Sequence, residues 1–368
     1  MQAAATITQR ERPARATHAK VRSIHDPRDF ACRPLSKIVG SLEIDTAAAL
    51  TPWPRSNEID TMRKGASSTF IASRAPLDRR RFGLGAAALL VGGIRGLACA
   101  RRAEAVSSGF APPGYRLVFG DDFDDADVSR INEDATGGRP GAPAWRSRYR
   151  HDRFTIINEE KQIYVDPAFA GTAGHALGVQ PFGIASGVLT ISANRADPSR
   201  VQPFVRDIAY TSGCITSELT FWRTYGYYEM RARLPLGKGF FPAFWLLPKR
   251  VVWPPEIDVF EASGVRPSDI HLGVMGPDQK GGNTWITGVI EIADGFHAYG
   301  LDWSREAVVW FLDGREVWRQ PNSIREDMYV LANLAVGNRD PNFIPNPDAS
   351  TPFPGRFEID YIRVHARA

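Results

Sequence analysis

The chain has 368 residues, 43% of them hydrophobic and 23% charged, which is the composition of a globular protein with length for a large core. Collagen, coiled coil and wholesale disorder are excluded on that basis. The net charge of +4 is unevenly spread. Residues 1–105 hold 18 Lys+Arg against 9 Asp+Glu, and the rest of the chain holds 27 against 32. The basic surplus therefore sits in the leader. The body is mildly acidic, and no nucleic-acid partner or charged membrane surface is expected for it.

Residues 1–77 read as an N-terminal extension. Its first 61 residues mix Arg, Ala, Pro and Ser without apolar periodicity, as disordered or non-mature segments do. Met62 is a candidate true start. Residues 78–105 carry the parts of an export signal: "DRRRFGL", an apolar run from Phe82 to Ile94, then the small-residue patterns "ACA" and "AEA". The arginine pair before Phe82 resembles a twin-arginine signal. The run is too short to span a bilayer, so no membrane span is expected in the mature protein. Export to the periplasm or beyond follows from this reading. A basic, Ala-rich tail is the alternative; Arg95 interrupts the run, and the arginine pair lies late.

The body, 106–368, is expected to be one domain. "YRLVFGDDF" (115–123) opens it. In "GVLTISANR" (187–195), Leu189, Ile191 and Ala193 share one parity, the mark of a half-buried strand. In "YYEMRARLPLGKG" (227–239), Tyr228, Met230, Ala232 and Leu234 face one way and Glu229, Arg231 and Arg233 the other, with Gly-Lys-Gly as the turn. "AVVWFLDGREVW" (307–318) reads as a hairpin about Asp313-Gly314. "FEIDYIRVHA" (357–366) is the last strand. No long stretch has helical periodicity. Many short strands without helices predict an all-β sandwich or jelly roll. Cys214 is the one cysteine of the body, so no internal disulfide is possible there, and no zinc spacing is present.

The segment "WPPEIDVFEASG" (253–264) places three acids within six positions: Glu256, Asp258 and Glu261. Glu256 and Asp258 share a strand face by parity. Glu261 falls on the opposite face unless a β-bulge around Val259–Phe260 returns it. Ile257, Val259 and Phe260 suit the buried side. Like charges on one face raise one another's pKa and are unfavourable without a purpose. An exposed acidic edge strand, a calcium site and paired-carboxylate glycoside chemistry are the readings open. The third needs two carboxyls roughly 5–5.5 Å apart, one as nucleophile and one as acid/base.

The pattern "EIDVFE" resembles the E-x-D-x-x-E signature of glycoside hydrolase family 16, which includes laminarinases, lichenases, agarases and bacterial exopolysaccharide glycanases. "YRLVFGDDF", "EEKQIYVDP" (159–167), "YTSGCIT" (210–216), "YGYYEMRARLPLGKGFFPAFWLLP" (225–248), "FHAYGLDW" (296–303) and "TPFPGRFEIDYIRV" (351–364) resemble it too, in its order. The resemblance implies a concanavalin A-like jelly-roll β-sandwich whose curved sheet forms a substrate cleft. It implies Glu256 as nucleophile, Glu261 as general acid/base and Asp258 as the residue that tunes the nucleophile, in the bulged, laminarinase-like branch. No cofactor is implied for catalysis. A structural calcium on the convex face is a family trait, and Asp360 occupies a position resembling one ligand, with a solvated strand residue as the alternative.

Trp253 and Trp245 are candidates to stack on sugar rings, Trp245 equally a core residue. His271 is a cleft candidate with a structural alternative, and Asn158, Glu160 and Tyr210 sit in family-like segments. His297 and Asp302 read as structural. The expected function is a monomeric, exported, retaining endo-β-glycanase acting on β-1,3 or β-1,3/1,4-linked polysaccharide. A non-catalytic glucan-binding protein and a transglycosylase on the same fold are the competing readings.

Overall fold

The computed structural model describes residues 109–368 apart from 198 and 201–207. The expected extension and export signal lie outside the described residues. The first strands are β1 (Tyr115–Asp121), β2 (Ile131–Asn132), β3 (Trp145–Arg146), β4 (Gln162–Tyr164), β5 (Phe182–Ala185) and β6 (Val188–Arg195). Then come β7 (Tyr210–Ser212), β8 (Cys214–Thr216), β9 (Gly226–Arg233), β10 (Phe240–Pro248), β11 (Glu256–Glu261) and β12 (Asp269–Met275). The last are β13 (Gly281–Thr287), β14 (His297–Trp303), β15 (Ala307–Leu312), β16 (Arg315–Pro321), β17 (Met328–Val336) and β18 (Gly355–Arg367). Two single-turn 3-10 segments are the remaining regular elements among the described residues. None of these helices is long and apolar enough to cross a membrane.

The strands form two sheets, a jelly-roll sandwich as expected. One has eight strands in the order β13-β12-β11-β10-β17-β8-β3-β2. The other has ten, with β16-β15-β14-β9-β18-β6-β7-β4 as its path and β1 and β5 added on β18 and β6. Side chains of alternate parity fill the space between them. On β6, Leu189, Ile191 and Ala193 are fully buried; from the other sheet Phe244, Leu246, Ile257 and Phe260 meet them in one cluster. Removing apolar surface from water on this scale is the main source of stability.

The hairpin at 313–314 forms as its Asp-Gly pair requires: both residues have positive φ (49° and 75°), the geometry that matches strand twist in a two-residue turn. Trp145, Trp303 and Trp310 are core residues. β9 departs from the half-buried strand expected. Its outward-facing Glu229 is completely buried, because the chain before β1 folds over it. The Phe110 amide (3.0 Å) and the hydroxyls of Tyr227 (2.8 Å) and Tyr361 (2.7 Å) all donate to its carboxylate. His297 and Asp302 are structural: His297 lies 2.8 Å from Asp313, and Asp302 accepts from the Tyr115 hydroxyl.

Candidate active site

The three acids lie on β11, an inner strand of the eight-stranded sheet between β10 and β12. The register shows the bulge. On the β10 side Ala243 faces Glu261, Phe244 faces Phe260 and Trp245 faces Asp258, so Val259 has no partner. On the β12 side Asp258 faces Gly273 and Glu261 faces His271, so two residues of β11 oppose Leu272. An extra residue in one strand reverses the parity of all that follows. Glu256, Asp258 and Glu261 are therefore all partly open and line one cleft, while Ile257, Val259 and Phe260 are buried.

Neighbouring elements fix each acid. The indole of Trp253 donates to the Glu256 carboxylate at 2.8 Å. The Trp310 indole reaches through the core and donates to the Asp258 backbone carbonyl at 2.7 Å. His271 Nδ1 lies 2.8 Å from Glu261 Oε2, and its Nε2 lies 3.4 Å from Asn283 Oδ1. The His271 ring packs in a cluster with Trp285 and Phe343, with centroids at 5.2 and 4.9 Å.

Asn158, Glu160, Trp245 and Trp253 also line this cleft, as expected for them. Trp245 belongs to both readings: it packs edge-on against Tyr149 at 5.7 Å and its indole donates to Asn333 at 2.8 Å, yet its ring remains partly open on the cleft. Glu160 is 6% exposed, and burial raises its pKa to about 7, with the charge of Glu261 adding to the effect and hydrogen bonds from Gln162, Asn158 and Tyr164 opposing it. Tyr149, Gly273, Asn283, Asn333 and Arg339 also line it and were not identified from sequence. Asn333 had a signal there, as the single amide within the apolar run "MYVLANLAV".

Two expectations are corrected. Tyr210 is not in the cleft. It begins β7 in the ten-stranded sheet, stacked on Phe353 at 4.8 Å with the Arg195 guanidinium on its ring. Asp360 does not sit in a calcium site. Arg231 donates to its carboxylate at 2.7 Å, so a cation already neutralises it. Calcium takes roughly six to eight oxygen ligands, and no group of three His, Cys, Asp or Glu side chains converges among the described residues. These surroundings do not fit the ion.

Known proteins resemble this chain. The sequence profile of Glycosyl hydrolases family 16 matches residues 178–342. The endo-1,3-1,4-beta-glycanase ExsH of Rhizobium meliloti is 38% identical over 218 residues, 57% of this chain and 44% of that protein. The beta-glucanase of Rhodothermus marinus is 31% identical over 282 residues, covering 69% of this chain and 86% of the relative. The chain belongs to glycosyl hydrolase family 16. The laminarinase catalytic domain of Thermotoga petrophila superposes on this family 16 protein with a TM-score of 0.54 at 26% identity, over 69% of this chain and 98% of the domain. The chain spans about half the length of the two Rhizobium meliloti relatives it matches.

Proposed function

We propose that this protein is a retaining endo-β-glycanase that cleaves β-1,3 or mixed β-1,3/1,4 linkages in a polysaccharide by double displacement. The observation that carries the reading is the bulge at Val259, which sets Glu256, Asp258 and Glu261 along one cleft beside two tryptophans. In this mechanism Glu261, protonated, gives its proton to the glycosidic oxygen while the Glu256 carboxylate attacks the anomeric carbon. The C–O bond to the leaving sugar breaks and a glycosyl ester on Glu256 forms. Glu261, now a carboxylate, takes a proton from water; the water oxygen attacks the same carbon and releases Glu256.

Trp253 steadies the nucleophile through its indole N–H, and His271 holds the acid/base in orientation through Nδ1. Support for the substrate class comes from the relatives, named as endo-1,3-1,4-beta-glycanase and beta-glucanase. The matched beta-1,3-glucan-binding protein of Penaeus monodon, 26% identical, stands for a binding-only alternative.

Reducing-sugar release from laminarin, lichenan and other β-glycans tests the reading, with Glu256→Gln as control. Release by the wild type and its loss in the folded variant is the expected result. Binding without release from any β-glycan points to the glucan-binding alternative. Products longer than the substrate point to transglycosylation.

A further inference from the structure

Glu160 enters the cleft from a strained corner. Asn158 and Glu159 both have left-handed backbones, with φ of 51° and 53°, a conformation that non-glycine residues hold only where the surroundings enforce it. The enforcing contacts are main-chain bonds to the end of β17 and the loop after it. The Arg339 amide donates to the Asn158 carbonyl at 2.7 Å, and the Lys161 amide to the Val336 carbonyl at 2.8 Å. The corner delivers the Glu160 carboxyl into the lining shared with Glu261.

The hydrogen bonds beneath it have a fixed polarity. Gln162 Oε1 accepts from the Val336 amide at 2.7 Å, so the Gln162 NH2 is the end that faces Glu160, donating to its Oε2 at 2.7 Å. Asn333 Oδ1 accepts from the Trp245 indole, so its NH2 donates to the Tyr164 oxygen at 3.1 Å. Tyr164 also takes the Tyr149 hydroxyl at 3.3 Å. The Gln162 NH2 therefore holds one oxygen of the carboxyl, Oε2, from the protein side. A protonated carboxyl has a single O–H to place, and the Gln162 NH2 is a donor that cannot accept it. That leaves Oε1 to carry the proton, in a side chain that lines the cleft with Glu261.

The charged and titratable groups around it are Glu261, the phenols of Tyr149 and Tyr164 and the thiol of Cys214, with Arg339, His271, Glu256 and Asp258 elsewhere on the lining. Among the described residues the carboxyl belongs to no ion pair within 4 Å, and burial disfavours its charged form.

We propose that Glu160 is a substrate-positioning residue: a neutral acid whose one O–H donates to an oxygen of the bound glycan beside Glu261. This rests on the β-glycanase reading of the cleft. Ionising Glu160 would remove that donor and put a negative charge in the cleft lining next to Glu261, so glycan binding weakens as Glu160 loses its proton.

The test is the pH dependence of KM and kcat on a soluble mixed-linked β-glucan, with the full chain and its Glu160→Gln and Glu160→Ala variants. In the wild type KM rises about tenfold from pH 6 to pH 8.5, the scale of one lost hydrogen bond. Glu160→Gln, which keeps a donor and cannot ionise, holds a flat KM over that range. Glu160→Ala already has the raised KM at pH 6. A KM in Glu160→Gln that climbs with pH as the wild type does overturns the proposal, and so does a wild-type KM in Glu160→Ala. A second arm needs no turnover: infrared difference spectra of substrate-free protein, wild type minus Glu160→Gln, read the protonated-carboxyl band. Its persistence to about pH 7 supports the neutral acid, and its loss by pH 5 overturns it. Absence of hydrolysis on every β-glycan, with the band intact, would instead sink the glycanase reading.

Discussion

Gly273 stands opposite Asp258 across the β11–β12 ladder, and a Cβ built on it would lie 2.2 Å from the Asp258 carboxylate oxygen. The glycine is the space that Asp258 occupies. Because the Asp258 backbone is pinned by the Trp310 indole, a methyl group here displaces the side chain and leaves the strand in place. Gly273→Ala is therefore expected to lower kcat by about 10- to 100-fold, the range for mispositioning a group at the reacting centre, with a small change in melting temperature. Steady-state kinetics on a β-glucan alongside a thermal melt checks it. A kcat within twofold of wild type would show that the Asp258 position does not matter to the reaction.

His271 packs against Trp285 and Phe343 and touches Glu261 through Nδ1. If its task is to orient the acid/base, His271→Ala weakens proton donation to the leaving oxygen. A loss of about 100-fold in kcat on polysaccharide is expected, at the low end for general acid catalysis. An aryl glycoside that departs without protonation should be cleaved with a much smaller loss. Equal losses on both substrates would mean that His271 supports the cleft as a whole.

Strand parity carried much of the site. Glu256, Asp258 and the buried Ile257 follow from alternation alone, and the odd spacing to Glu261 demanded one extra residue, which the β10 register places at Val259. Two kinds of residue were beyond that reach. Asn333, Arg339 and Gly273 join the cleft only through strand order, and pairing partners distant in sequence are not written in local pattern. Glu229, Tyr210 and Asp360 were misread for a related reason: each sits on a strand whose parity is plain, but what covers the outer face is a separate segment. Phe110 covers Glu229, Phe353 stacks on Tyr210, and Arg231 pairs with Asp360.

Glu160 also makes stability depend on pH. Its pKa is about 7 in the folded protein against an ordinary 4.5, so the folded state holds the proton more tightly than the unfolded chain. The contribution is fully present below pH 4.5 and is lost as pH rises to about 7. The difference corresponds to about 3 kcal/mol. Urea unfolding at pH 4 and pH 8 should show the wild type losing more stability over that interval than Glu160→Gln, by up to that amount. Parallel losses in the two proteins would place the folded-state pKa near its ordinary value.

Arg130 and Asp121 form a buried pair, 0% and 1% exposed, that ties β1 to the chain entering β2. Arg130 Nη2 donates to Asp121 Oδ1 at 3.0 Å, the Trp145 indole donates to Oδ2 at 2.7 Å, and the Phe123 amide donates to Oδ1. Arg130→Met keeps much of the volume and removes the cation, leaving a carboxylate in the interior with two neutral donors. A loss of about 3–5 kcal/mol at pH 7 is expected, the usual consequence of stranding one member of a buried pair. Burial already pushes Asp121 upward, and without Arg130 it should rise further, so the buried group takes up a proton as pH falls. The defect should then shrink between pH 7 and pH 4.5, because a neutral acid is tolerated where an unpaired anion is not. Asp121→Asn added to Arg130→Met should recover part of the loss at pH 7. Urea unfolding of the single and double variants at both pH values decides it: an equal defect at the two pH values, with no recovery in the double variant, would mean that the stability came from the packing of the arginine stem and not from its charge.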